Sequence, residues 1–205
     1  MTDDELVERV RLGDSAALDD LLRRHHPRLH AVCFRILGRR SDADDAAQNA
    51  LVSIARNLNS FDGRSSFSTW AYRIATNAAL DELRRRRRRP QPLRDVERMH
   101  EHLADPRAER AGDALENREL VERALAALPE EYRVALVLRD VADLDYEQIA
   151  TVLDVPIGTV RSRIARGRAR LADSFGNRTT PSERPIESNE STDGHGELDN
   201  EGGRG

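Results

Sequence analysis

Apolar residues recur at every third or fourth position along most of residues 1–172 of this 205-residue chain, the period of helices that bury one face. Thr2 and Glu5 stand at capping-box spacing and predict a first helix that ends at Gly13. Leu18, Leu21, Leu22, Leu29, Val32 and Ile36 form the stripe of a second helix closed by Gly38, and Pro27 should kink or split it. Asp42 opens a third helix, to about Asn57, with Ala43, Ala47, Ala50, Leu51, Ile54 and Leu58 inward. Its outward face carries Asp44, Asp45, Gln48, Asn49 and Val52. After a loop with Gly and Ser between Phe61 and Phe67, a long helix over residues 68–88 should bury Ala71, Ile74, Ala75, Ala78 and Leu83. Helical spacing sets Arg73, Asn77, Asp81, Arg84 and Arg88 together on the opposite face.

Pro90 and Pro92 stop that pattern, and residues 90–114 mix charges with Pro and Gly as a flexible linker does. Helical periodicity resumes through Leu120, Val121, Ala124, Leu125 and Leu128, and Pro129 begins a further helix. Residues 145–159 then read as a helix N-capped by Asp145, a short turn and the start of a second helix. That is the layout of a helix-turn-helix, with Ile149, Val152 and Leu153 packing its first helix and Val160 and Ile164 its second. Residues 173–205 hold almost no large apolar side chain and should be a disordered acidic tail. The fold class expected is all-α, with two small helical domains at residues 1–89 and 115–172.

Charge sharpens the picture at the arginines. The net charge is −4, but residues 173–205 hold eight acids against three arginines, leaving residues 1–172 nearly neutral at 30 arginines to 29 acids. All 33 basic residues are arginine, a bias that a GC-rich coding sequence produces, so placement carries more than number. Residues 155–172 carry five arginines and no acid, and residues 84–89 are an unbroken arginine run. On the second helix of the helix-turn-helix, Thr159, Arg161, Ser162, Arg163 and Arg166 face away from the core, where arginine can donate two bonds to guanine. The plainer alternative is a helical hairpin with a solvated basic face. The run at 84–89 alone would be a solvated helix end. Its helix also carries Trp70, Arg73 and Asn77 and follows a loop bounded by Phe61 and Phe67, a pairing of bases and aromatics that suits single-stranded DNA.

Other chemistries find little support. His26, His30 and Cys33 share one helical face, but no fourth ligand is near and the stripe also holds core residues, so no metal is expected. His100 and His102 sit in the linker and take no role. One cysteine excludes an internal disulfide. No nucleophile elbow, Gly-rich phosphate loop or carboxylate pair stands out, so neither catalysis nor a cofactor is expected. The acidic N-terminus lacks a signal-peptide pattern and no apolar run approaches membrane-spanning length, so a cytoplasmic location is expected.

Three motifs in order carry a more specific resemblance: Asp-Ala-Asp-Asp-Ala-Ala-Gln at residues 42–48, Phe-Ser-Thr-Trp-Ala-Tyr-Arg-Ile-Ala-Thr-Asn at 67–77, and Leu-Pro-Glu-Glu-Tyr-Arg at 128–133 running into Gly-Thr-Val-Arg-Ser-Arg at 158–163. Over about residues 3–172 the chain resembles the extracytoplasmic-function group of RNA polymerase sigma factors. The resemblance implies that the helix at Asp42 meets core RNA polymerase through Asp42, Asp45, Gln48, Asn49 and Val52. It implies that Phe61, Phe67, Trp70, Arg73, Asn77, Asp81 and Arg84 capture and help melt the promoter −10 element. Thr159, Arg161, Ser162, Arg163 and Arg166 would read the −35 element as duplex, and an anti-sigma factor is a further expected partner. Two positions depart from the family pattern: Asn49 replaces the usual Glu after Gln48, and Asp154 replaces the usual Gly of the turn. The competing reading is a stand-alone helix-turn-helix regulator, which needs neither the helix at Asp42 nor the aromatic loop. A structural or RNA-binding helical protein would leave the second basic helix unexplained.

Overall fold

The computed structural model describes residues 1–88 and 112–176, and among them every regular element is helical. The helices are α1 (Asp3–Arg11), α2 (Ser15–Leu37), α3 (Arg40–Asn57), α4 (Phe67–Arg88), α5 (Gly112–Ala127), α6 (Glu130–Asp140), α7 (Tyr146–Leu153) and α8 (Ile157–Gly176). A 3-10 turn, Leu58–Ser60, follows α3. α5 therefore begins inside the expected linker and α8 runs into the expected tail. The remainder of both, and His100 and His102, lie outside the described residues.

Local chemistry sets the element ends. Thr2 and Glu5 complete the capping box of α1, each side chain accepting the other residue's backbone N–H. Asp14 caps α2 by accepting the N–H groups of Ala16 and Ala17, and the Ala17 bond, followed by the Arg9 guanidinium, holds its carboxyl below the usual range. Gly38, at φ 69°, closes α2 in the left-handed conformation. Of the kink or split expected at Pro27, the split does not occur: α2 runs on through it. Its ring lies on the exposed side, as does Arg23, so the carbonyl that loses its donor faces water while Leu21, His25, Leu29 and Val32 are clamped from the other side. α3 starts ahead of Asp42 without any side-chain cap.

α2, α3 and α4 pack on one another, with α1 against α2. Ala43, Ala46, Ala47 and Ala50 of α3 and Ala71, Ala75 and Ala79 of α4 are all buried, and such small side chains let helix axes approach closely. Around them Leu6, Leu21, Leu29, Ile36, Ile54, Leu58 and Phe67 are fully buried, each stabilising by about 1.5–3 kcal/mol. α6, α7 and α8 form a second packing group through Leu136, Val137, Leu138, Ile149, Val160 and Ile164. Gly167 lets α8 cross α6 tightly, because a Cβ there would lie 2.8 Å from Leu136 Cδ1 and 3.3 Å from Tyr132 Cβ. The two groups touch: α7 packs on α4, and α5 and α6 on α2.

Candidate nucleic-acid interface

The α3 face expected to meet a protein partner is open. Asp45, Gln48, Asn49 and Val52 follow one another at i, i+3, i+4 and i+7, and all are exposed. Val52 is a large apolar side chain left 39% accessible. Asp42 does not join them. Its carboxylate is turned inward, Oδ2 lying 3.9 Å from both Arg39 Nε and Arg86 Nη1 without a hydrogen bond. The first turn of α3 lies against the basic end of α4, and Asp42 is half-buried between Arg39 and Arg86. Asp44 is engaged too, at 2.7 Å from His30 Nε2.

On α4, Arg73, Asn77, Asp81 and Arg84 form an exposed stripe, with Arg84 donating to Asp81 Oδ1 at 2.7 Å. Phe61 and Phe67, expected to offer ring faces to a base, are instead buried at 4% and 1% accessibility. They cluster with Trp70 and His25, Phe61–Phe67 edge-on at 5.9 Å and Phe67–Trp70 at 5.8 Å. His25 also meets Asp3 Oδ2 at 2.8 Å, which fastens α1 to the cluster. Trp70 is half-buried and so keeps one edge at the surface. The exposed groups of the loop are polar: Asp62, Arg64 and Ser66, with Gly63 at φ 74° making the turn and Asp62 Oδ1 accepting the Arg64 N–H. The sequence marks this loop as a whole, from Phe61 to Phe67, but not which of its residues face outward.

In the helix-turn-helix, Asp145 and Gln148 form a capping box at 2.8 and 2.9 Å. Asp154 adopts the left-handed conformation at φ 53°, ψ 50°, the geometry its position in the turn demands. Beyond it Arg161 and Arg166 are exposed, and Thr159, Ser162 and Arg163 are half-buried. The Ser162 hydroxyl donates to the Thr159 carbonyl at 2.9 Å, as helix serines do. The later arginines hold the fold: Arg168 meets Asp140 at 2.8 Å and Arg170 stacks over the Tyr132 ring.

Contacts between the two helix groups were not visible in the sequence. Gln148 Nε2 donates to Thr69 Oγ1 at 3.4 Å, Arg35 meets Glu122 at 3.1 Å, and Arg87 meets Glu130 at 2.8 Å. Tyr72 on α4 is hydrogen-bonded by Arg28 and lies in the field of Asp143; burial, the larger effect, pushes its phenol above the ordinary range. Cys33 is a core thiol near the Ala75 carbonyl, pushed up to about 12 by burial. Among the described residues no group of three or more His, Cys, Asp and Glu side chains could hold a metal, and no helix is long and apolar enough to cross a membrane.

Comparison with known proteins agrees with this arrangement. The Sigma-70 region 2 family profile matches residues 21–89 and the Sigma-70, region 4 profile residues 118–171. The chain is 37% identical over 181 residues to the ECF RNA polymerase sigma-E factor of Escherichia coli strain K12, covering 83% of this chain and 93% of that protein. It is 41% identical over 179 residues to the RNA polymerase sigma-H factor of Pseudomonas aeruginosa, covering 82% and 91%. Its fold is like that of CnrH in complex with the cytosolic domain of CnrY, at TM-score 0.65 and 23% identity over 85% of this chain and 97% of the other. It is also like that of the sigma factor RpoE in complex with the anti-sigma factor NepR from Bartonella quintana, at TM-score 0.60 and 22% identity over 77% and 96%. The chain belongs to the extracytoplasmic-function group of RNA polymerase sigma factors.

Proposed function

We propose that the chain works as a non-catalytic subunit of RNA polymerase in the cytoplasm, with three separate faces for three tasks. The observation that carries this reading is the exposed α3 stripe of Asp45, Gln48, Asn49 and Val52, which no other described helix covers. A stand-alone DNA-binding regulator has no use for it, whereas a subunit that must dock on core polymerase does. The unit of residues 1–89 takes the −10 element and that of residues 115–172 the −35 element. Trp70 and the polar loop residues Asp62, Arg64 and Ser66 receive an unstacked base beside Asn77, while Arg73 and Arg84 hold strand phosphates. Phe61 and Phe67 support that pocket from beneath. Arg161, Arg163 and Arg166 enter the major groove of duplex DNA, with Thr159 and Ser162 at the helix start. An anti-sigma factor is the natural antagonist, as for the Bartonella relative.

Run-off transcription with purified core polymerase tests this. Core plus this chain should start transcripts at a promoter that neither uses alone, and Gln48→Ala combined with Val52→Asp should abolish them without unfolding the protein. Equal transcription with and without the chain, or full activity of the double variant, would contradict the reading.

A further inference from the structure

We propose that Arg87 is a binding site for a backbone phosphate of single-stranded DNA, and that Glu130 occupies this site in the free chain. Of the arginines near the end of α4, three take partners from their own helix group. Arg84 meets Asp81 at 2.7 Å, Arg85 is paired with Glu82, and Arg86 lies 3.9 Å from Asp42. Among the described residues, Arg87 is the one of these four that pairs across to the other group, meeting Glu130 Oε2 of α6 at 2.8 Å over 43 residues of sequence. A guanidinium recognises carboxylate and phosphate with the same fork of donors, so Glu130 can stand where a phosphate would. The site is also more cationic than one pair. Arg133 lies close enough that Glu130 raises its pKa while burial, the largest effect, together with Arg87 and Arg86, lowers it. Glu130 thus sits between two guanidiniums, those of Arg87 and Arg133.

The contact depends on the closed packing of the two helix groups. Arg84, Arg85 and Arg86 keep their acids however α5–α8 lie, but Arg87 loses its partner once the second group, seated through α6 on α2 and α7 on α4, lifts away. Arg87 is 68% accessible and, three positions beyond Arg84, borders the exposed stripe that Arg88 ends, within reach of a strand that tracks it. The inference rests on reading α4 as the strand-binding helix.

The test is fluorescence anisotropy of the full chain with a labelled oligothymidylate of about twenty nucleotides, across a range of salt. Glu130→Gln should tighten binding about three- to fivefold at low salt and steepen the log K against log salt slope by about 0.7, the value for one added single-strand phosphate contact. Glu131→Gln removes the same charge from the exposed neighbouring residue and should change affinity less than half as much. In an Arg87→Ala background Glu130→Gln should have no effect. Equal effects of the two Glu variants, or an effect of Glu130→Gln that survives Arg87→Ala, would overturn the masking. Failure of every variant to bind would overturn it together with the strand-binding reading of α4.

Discussion

Near the end of α4 four successive arginines lie beside carboxylates: Asp81, Glu82, Asp42 and Glu130 face Arg84, Arg85, Arg86 and Arg87 in turn. On α8 the arginines divide. Arg168 and Arg170 are spent on Asp140 and the Tyr132 ring, while Arg161, Arg163 and Arg166 make no ion pair with the described residues. A guanidinium without a partner is ready for guanine or phosphate at once; a paired one must first exchange its acid. The contrast fits a helix built to read closed duplex and another whose cations engage only as a strand becomes available. It also separates two kinds of arginine that composition lumps together.

Five substitutions test this contrast and the packing behind it. The largest effect is expected at Phe67→Ala, which should cost about 3–5 kcal/mol in chemical denaturation, because the ring is 1% accessible inside the aromatic cluster. A cost under about 1 kcal/mol would mean that the ring is a surface platform after all. Arg163→Ala should lose about 1–3 kcal/mol of discrimination in the upstream element, measured by competition between cognate and mutated sites, while Arg168→Ala leaves discrimination unchanged. Equal loss on every sequence would assign Arg163 to phosphate rather than base. Gly167→Ala should destabilise by about 1–3 kcal/mol, since its Cβ would press on Leu136 and Tyr132 where α8 crosses α6. Asp154→Gly should stabilise by less than about 1 kcal/mol by relieving a left-handed Asp, read as a small rise in Tm.

The elements themselves were largely legible in the chain. The 3.6-residue period placed the helices, and Thr2–Glu5 and Asp145 marked two of their starts with side chains that do cap them. The outward faces of α3 and α4 followed from the same period. What period cannot convey is which polar or aromatic side chains a second helix covers. Thr69, Thr76 and Glu82 are buried, Asp42 turns inward, and Phe61 and Phe67 lie beneath the loop they flank. An aromatic beside arginines reads alike whether it faces solvent or core. Pro27 left a kink or a split open, and the split does not occur because tertiary packing holds α2 together where local propensity would break it. Pairs such as Arg87–Glu130 and Gln148–Thr69 join residues far apart in sequence, with no periodic signal to announce them.

The central claim is that α4 and α8 act as a two-point promoter reader only when core polymerase holds them. The most direct measurement is a footprint on promoter DNA with the free chain, core polymerase, and both, combined with permanganate reactivity of thymines. The account predicts two separated protected blocks and reactive thymines in the downstream one with both proteins present, and neither with the free chain. The same sequence-specific protection by the free chain, unchanged by polymerase, would contradict it.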